Sequence, residues 1–551
     1  MASIKKELEA FADEFEGELE KRHVCGIPVT RGVSIPLFCC CAVVILIVSI
    51  SIGAAIGEEE SKLSSGGSMK NFGTDDRYSA LAELLEPLVG KAITEEGTME
   101  NKALVWLAHD DPANVPLDSH LDYITQRFVM ANLFESTFGR NWDHSYSFMS
   151  YKPVCEWNLA DDENGAYCTG GFITYLQLAE LGLNGTLPNS IGLLTHLEHI
   201  DVSHNALEGT IPKSTELLAK CTHLNFHTNA LTGNLPKDFH LMSKLEYLDL
   251  HDNRLTGVVR HDLETLVKVR TIDISRNEHN GELAFKNFKK MTSLETFNVA
   301  HNKIHGTLES ELGEMSNLKV LNLGNNKIGG KIPNSISGMS SLEELHIEDC
   351  ELTGALPSQI ADLSELTSLH LSENSLEYGI PPGLFQIASL RELKLDSNGF
   401  DGKIPSTVAE ATNLQNLALD FNQLTGSIPS EVGLMYELTN LDLSNNLLTG
   451  KIPTELGGLG NIERLYLSHN RLEGELPTNL DTFPEMADFS VSHNHLFGTL
   501  DGICDRPASY QRLQSFESDC MLDDLICTCC TTCCDETGYC CDTQSGLCSH
   551  E

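Results

Sequence analysis

An α/β solenoid, a single-file stack of about fourteen coils with one short parallel strand each, is the fold this sequence predicts. Three observations predict it. Asparagines recur at Asn205, Asn229, Asn253, Asn277, Asn302, Asn326, Asn374, Asn398, Asn422, Asn446, Asn470 and Asn494. The step is 24 residues throughout, apart from one of 25 between Asn277 and Asn302 and a double step across Cys350. Around each asparagine sits the phrase L-x-x-L-x-L-x-x-N-x-L-x-G-x-I/L-P, clearest from Leu438 to Pro453.

That phrase is the leucine-rich repeat, in which either Asn or Cys occupies the ladder position, so Cys350 continues the array. Positions one, four and six point inward, as Ile462, Leu465 and Leu467 do. The residues between them face a concave surface, because side chains alternate along a strand. Each ladder asparagine is expected to bond backbone groups of the adjacent turn, a structural role. Cys221, at a core position, and Cys350, on the ladder, read as buried and inert free thiols.

Before the repeats the chain divides in order. Residues 1–32 are mostly polar and are assigned to the cytosol. Apolar residues at Ile4, Leu8, Phe11, Ala12, Phe15 and Leu19 give them helical spacing, either a docking helix or a marginal solvated one. Residues 33–56 carry no charge, and 24 residues at about 1.5 Å each span a hydrocarbon core of about 30 Å. This segment reads as an uncleaved transmembrane signal-anchor. A late signal peptide cut near Ala55 is the other reading. Lys21, Arg22 and Arg31 precede it and Glu58, Glu59 and Glu60 follow, which places the repeats outside the cell. Cys39, Cys40 and Cys41 are either palmitoylation sites or small apolar fillers of the anchor.

Residues 57–76 are rich in Ser and Gly and predict a flexible stalk. Residues 77–170 predict a helical cap for the open end of the stack. Its apolar stripes are Leu81, Leu84, Leu85 and Leu88, then Ala103, Leu104 and Leu107, then Leu121, Ile124, Phe128, Ala131 and Phe134. Cys155 and Cys168 are expected to pair in an oxidising compartment, since two cysteines are too few for a zinc site. Residues 171–503 are the repeats and residues 504–551 a Cys-rich C-terminal cap and tail.

With its N-x-L-x-G-x-I/L-P repeat, and Cys155-Glu156-Trp157 followed by Cys168, the chain resembles plant-type leucine-rich-repeat receptor-like proteins, receptor kinases and polygalacturonase-inhibiting proteins. The layout is most similar to membrane-anchored leucine-rich-repeat proteins of diatom-like algae, where a helix such as Val105-Trp106-Leu107 precedes a phrase such as Gln126-Arg127-Phe128. No kinase signature follows the repeats. The cap has the acidic loop Asp161-Asp162-Glu163-Asn164 in place of the usual Gly-Val, and Tyr378 stands where its repeat should have glycine, so that turn is expected to be distorted.

The formal net charge of −42 argues against nucleic-acid partners. Two polar patches fall on the concave positions. The first holds His199, His223, Tyr247, His227 and His251, with Asp201 and Asp249 beside them. It is a ligand patch changing charge between about pH 6 and 7, a site where a transition metal bridges neighbouring histidines, or plain solvated surface. The second holds Glu344, His346, Glu348, Asp349, His370, Glu373, Lys394 and Asp396, a solvated face or a loose Ca²⁺ site. Asn184-Gly185-Thr186 is a glycosylation sequon. No H-E-x-x-H, G-x-S-x-G or P-loop is present, so catalysis ranks last and no cofactor is implied.

Ten cysteines follow Leu500. Cys504 and Cys520 are assigned to the C-terminal cap. The other eight are read as a disulfide knot, with metal-thiolate binding or links between chains as alternatives. The sequence therefore predicts a single-pass plasma-membrane protein, N-terminus cytosolic, that recognises extracellular protein or glycan ligands through its concave face, with a membrane co-receptor as a further partner. Wall attachment and inhibition of a secreted hydrolase are the alternatives.

Overall fold

The computed structural model describes residues 74–144, 147–158, 164–259, 263, 265–499, 514–519, 525–526, 530–535, 539–542 and 548–550. The cytosolic segment, the 33–56 anchor, Cys39 to Cys41, Cys504 and Cys520 lie outside them. Among the described residues no helix is long and apolar enough to cross a membrane.

A 19-stranded sheet organises the repeats. Strand β1 (Gly165–Thr169) pairs antiparallel with β2 (Phe172–Gln177), and from β2 onward each coil adds a parallel strand, from His199–Asp201 to Ser515–Ser518. A parallel strand Thr532–Cys534 follows, and Tyr539–Asp542 and Cys548–His550 close the sheet antiparallel. Registers align like with like, so Leu369 lies beside Leu345 and Leu393. Behind the sheet most described coils return through a short 3₁₀ turn, as at Thr454–Gly458, commonly entered from an extended proline such as Pro453. Proline suits that corner because its ring presets φ and its missing N–H is not needed there. Core positions are closed to solvent: Ile462, Leu465 and Leu467 are each 0% exposed.

The 25-residue step is absorbed at the back. Its turn, Phe285–Lys290, has six residues where the next coil's, Ser310–Glu314, has five, while Thr271 still pairs with Thr296 in front. Tyr378 corrects an expectation. It adopts φ 69°, the left-handed conformation its glycine counterparts take, so the turn is kept and the side chain bears the strain.

Three helices occupy the stretch assigned to the cap: α1 (Thr74–Val89), α2 (Met99–Val105, extended by a π turn Trp106–Asp110) and α3 (Leu121–Ser136). Helix α1 thus begins inside the stretch assigned to the stalk. Leu81 and Leu85 are buried, whereas Leu84 and Leu88 are exposed, so the first stripe is narrower than the periodicity implied; α3 exposes Leu121 but is buried on all sides from Ile124 to Phe134. Arg127 on α3 is the cap's buried centre. Its guanidinium lies 5.3 Å and 5.0 Å from the Trp106 and Trp157 rings, donates twice to Asp111, and donates to the Lys152 and Ser150 carbonyls. Next to it, Gln126 accepts from the Ile173 N–H and donates to the Gly171 carbonyl, tying α3 to the first strand of the array.

Candidate ligand-binding face

The backbone frame comes first, because it fixes every side chain on the sheet's open face. In the Asn446 coil the ladder amide donates to the carbonyls of Leu419, Leu443 and Ser444, and its oxygen accepts from the Leu424 N–H. Cys350 keeps one of these bonds, its thiol reaching the Leu323 carbonyl at 3.5 Å. The residue before the ladder position is left-handed in the coils from Glu180 to His493, with φ between 47° and 57°; His204, His301, His469 and His493 all sit there. Position five carries a further duty. Asp201, Asp249, Asp273, Asn298, Asn322 and Asp442 each accept from the backbone N–H two residues on, which closes the strand end.

In-register pairing then stacks equal positions one strand spacing apart, about 4.8 Å. At position three, Tyr175, His199, His223 and Tyr247 form one row, with ring centroids 5.0, 4.2 and 5.8 Å apart. At position seven, His227 and His251 stack at 4.3 Å with planes 13° apart. Imidazole lone pairs lie in the ring plane, so rings stacked face to face cannot both aim at one ion. The metal bridge between neighbouring histidines is therefore corrected: geometry excludes it for His199–His223 and His227–His251.

The structure instead gathers Asp249, His251 and Asp273, whose ligand atoms lie within 4.8 Å of one another. These atoms are already engaged. Asp249 accepts from the His251 ring at 2.7 Å and from Tyr247 Oη at 2.8 Å, while Asp273 accepts from Ser275 and Asn298. Burial by itself would push Asp249 up, yet the hydrogen bonds from His251 and Tyr247 hold it below its ordinary range. The Asp249 bond raises His251, whereas desolvation lowers His199, His223 and His227. The patch thus does not charge as one unit: His251 protonates first and its three neighbours only at lower pH.

The second patch holds His346 and His370 stacked at 4.2 Å, with Lys394 beside His370 on the next strand. Ser368 Oγ and Glu392 Oε2 lie 3.1 and 3.0 Å from His370, superficially a nucleophile, base and orienting acid. Both contact the same nitrogen, Nε2, so the ring cannot accept the serine proton while the carboxylate orients its other nitrogen. Farther along, desolvation and the charges of Asp442 and Asp396 push Asp420 up to about 7.

Elsewhere, Cys155 and Cys168 are bonded, joining the cap to β1. Asn184 is exposed at the start of a back strand. Cys221 is buried and Cys350 half-buried, both free, and burial pushes them up to about 12 and about 11. Sequence reasoning missed Tyr175, Asp273, Ser368, Glu392 and Asp420. Repeat phase carried the signal for all five, since each occupies position three, five or seven.

Residues 292–352, 340–400 and 412–472 match a leucine-rich-repeat profile, with shorter matches at 196–218 and 244–266. These coils are leucine-rich repeats. A search of curated proteins gives no match. Among solved structures, the leucine-rich-repeat ectodomain of the Arabidopsis thaliana membrane receptor kinase GASSHO1/SCHENGEN3, in complex with CASPARIAN STRIP INTEGRITY FACTOR 2, is 30% identical with TM-score 0.56. That alignment covers 64% of this chain and 44% of the receptor's, so the chain spans less than half of it. The ectodomain of the Arabidopsis receptor kinase HAESA, solved with a peptide hormone, is 27% identical with TM-score 0.53, covering 68% and 67%. A leucine-rich-repeat protein of Leptospira interrogans is 28% identical with TM-score 0.51, covering 64% and 90%. The leucine-rich-repeat array of this chain is similar in structure to plant receptor ectodomains, a fold that typically binds ligands without catalysing reactions.

Proposed function

We propose that this protein is a single-pass, membrane-anchored leucine-rich-repeat receptor-like protein that binds an extracellular protein or peptide through positions three, five and seven of its first coils. The observation that carries the reading is the double row of rings on those coils. Tyr175, His199, His223 and Tyr247 turn their faces to one another and leave their edges outward. Such a surface offers ring nitrogens and a hydroxyl at strand spacing. Most of its ring faces are already turned to one another and so are little available to stack on a sugar, which favours a polypeptide over a glycan. The peptide-hormone complex of the HAESA ectodomain supports the same choice. Membrane anchoring rests on the uncharged stretch 33–56, and a membrane co-receptor is a further partner in this reading.

The test is a screen of secreted peptides and proteins against the full chain in detergent, followed by alanine at His199, His223 and His251. Affinity for a captured polypeptide should fall at least roughly tenfold, the loss of one or two buried polar contacts. Unchanged affinity in the triple variant refutes this face as the site.

A further inference from the structure

We propose that His493, Cys534 and Cys540 form a redox-gated binding site for a zinc-like divalent metal ion, at the junction between the last coil and the cysteine tail. The inference is independent of the ligand-binding reading. Three elements build the site. His493 is held at the left-handed position of its coil, with φ 52°. Its ring stacks on His469 at 4.0 Å and its Nδ1 lies 3.2 Å from Ser492 Oγ. Its other nitrogen, Nε2, is closed to solvent and has no hydrogen-bond partner among the described residues. A buried ring nitrogen left this way costs on the order of 1–3 kcal/mol, so its placement needs a reason.

The reason lies across the junction. Cys534 and Cys540 are paired residues of the closing hairpin, and both are buried. Their sulfurs and a His493 ring nitrogen all lie within 4.8 Å of one another. Glu517 Oε1, which accepts a hydrogen bond from Ser492 Oγ, stands 3.9 Å from Cys534 Sγ, near enough to become a fourth donor if it gives up that bond. Two sulfurs, one imidazole and one carboxylate suit a tetrahedral zinc-type ion and poorly suit Ca²⁺ or Mg²⁺.

The gate is the bond between the sulfurs, for Cys534 and Cys540 are joined here as a disulfide. A dithiol reductant gives up two electrons and two protons and becomes a disulfide itself, leaving Cys534 and Cys540 as two thiols. Binding the ion then releases those two protons, because thiolates are the ligands. Under oxidising conditions the bridge holds the cap. Under reducing conditions the ion takes over and keeps the hairpin on the last coil.

Co²⁺ is the probe, since tetrahedral thiolate coordination colours it. The full chain is reduced with a dithiol, freed of reductant without air and titrated with Co²⁺, beside His493→Ala and Cys534→Ala/Cys540→Ala. Each variant should bind one ion fewer than the parent, and the oxidised parent should show no thiolate-to-cobalt absorption from this site. The histidine variant decides the matter should the double variant fail to fold, since it leaves every bridge intact. Equal stoichiometry and spectra in the parent and His493→Ala, or no cobalt bound by the reduced parent, overturns the proposal.

Discussion

Tyr378 shows how firmly the repeat dictates a single backbone angle. Its counterparts Gly354 and Gly402 take φ 78° and 75°, and it follows at 69° although its side chain is 57% exposed and gains little from packing. A left-handed non-glycine residue costs about 1–2 kcal/mol, so Tyr378→Gly is expected to stabilise the array by about 1 kcal/mol. A higher urea midpoint measures it, and a lower one shows that the ring makes contacts worth more than the strain. The glycine pattern was legible in the sequence, but its consequence was not. Repeat phase says which angle a position needs and is silent on whether an off-pattern residue bends the chain or bears the strain. Likewise the histidines were assigned to the right columns, while their stacking needed the register, which no single coil contains.

Among elements, α3 joins the most distant parts of the sequence. Helical periodicity picked out buried residues from Ile124 to Phe134 but missed that α3 is buried on every side there, and it gave no role to Arg127, a charged residue that periodicity alone would put in solvent. Its partners come from the turn after α2, from Ser150 and Lys152, and from two tryptophans far apart in sequence. Side-chain exposures of 0% for Arg127 and 1% for Asp111 mean that removing one partner strands the other. Arg127→Met should therefore cost on the order of 3–5 kcal/mol, and hydrogen exchange should show faster opening of the cap before the repeats. Protection unchanged in α1 to α3 would sink this account of the cap.

For the whole array, stability is a sum over coils and their neighbours, so one weak coil sets where opening begins. The Asn277 coil is such a place, since His279 fills a leucine position at 0% exposure and its Nε2 has no partner among the described residues. Desolvation pushes His279 from 6.5 down to about 4. Above pH 6.5 folded and unfolded chains are both neutral there. As pH falls toward about 4, only the unfolded chain takes up the proton, so stability drops by about 3 kcal/mol across that window. His279→Leu should remove that part of the acid dependence, read as a urea midpoint that changes less between neutral and acid pH than the parent's. Equal slopes in both would show that the buried ring is not the weak point. The same coil also contains the extra residue, taken up at Phe285–Lys290 while the strands in front keep step. Length errors are thereby shunted to the rear wall of the stack. The display side is insulated from them, so whatever docks on it meets an unbroken lattice even where the chain behind has lost count.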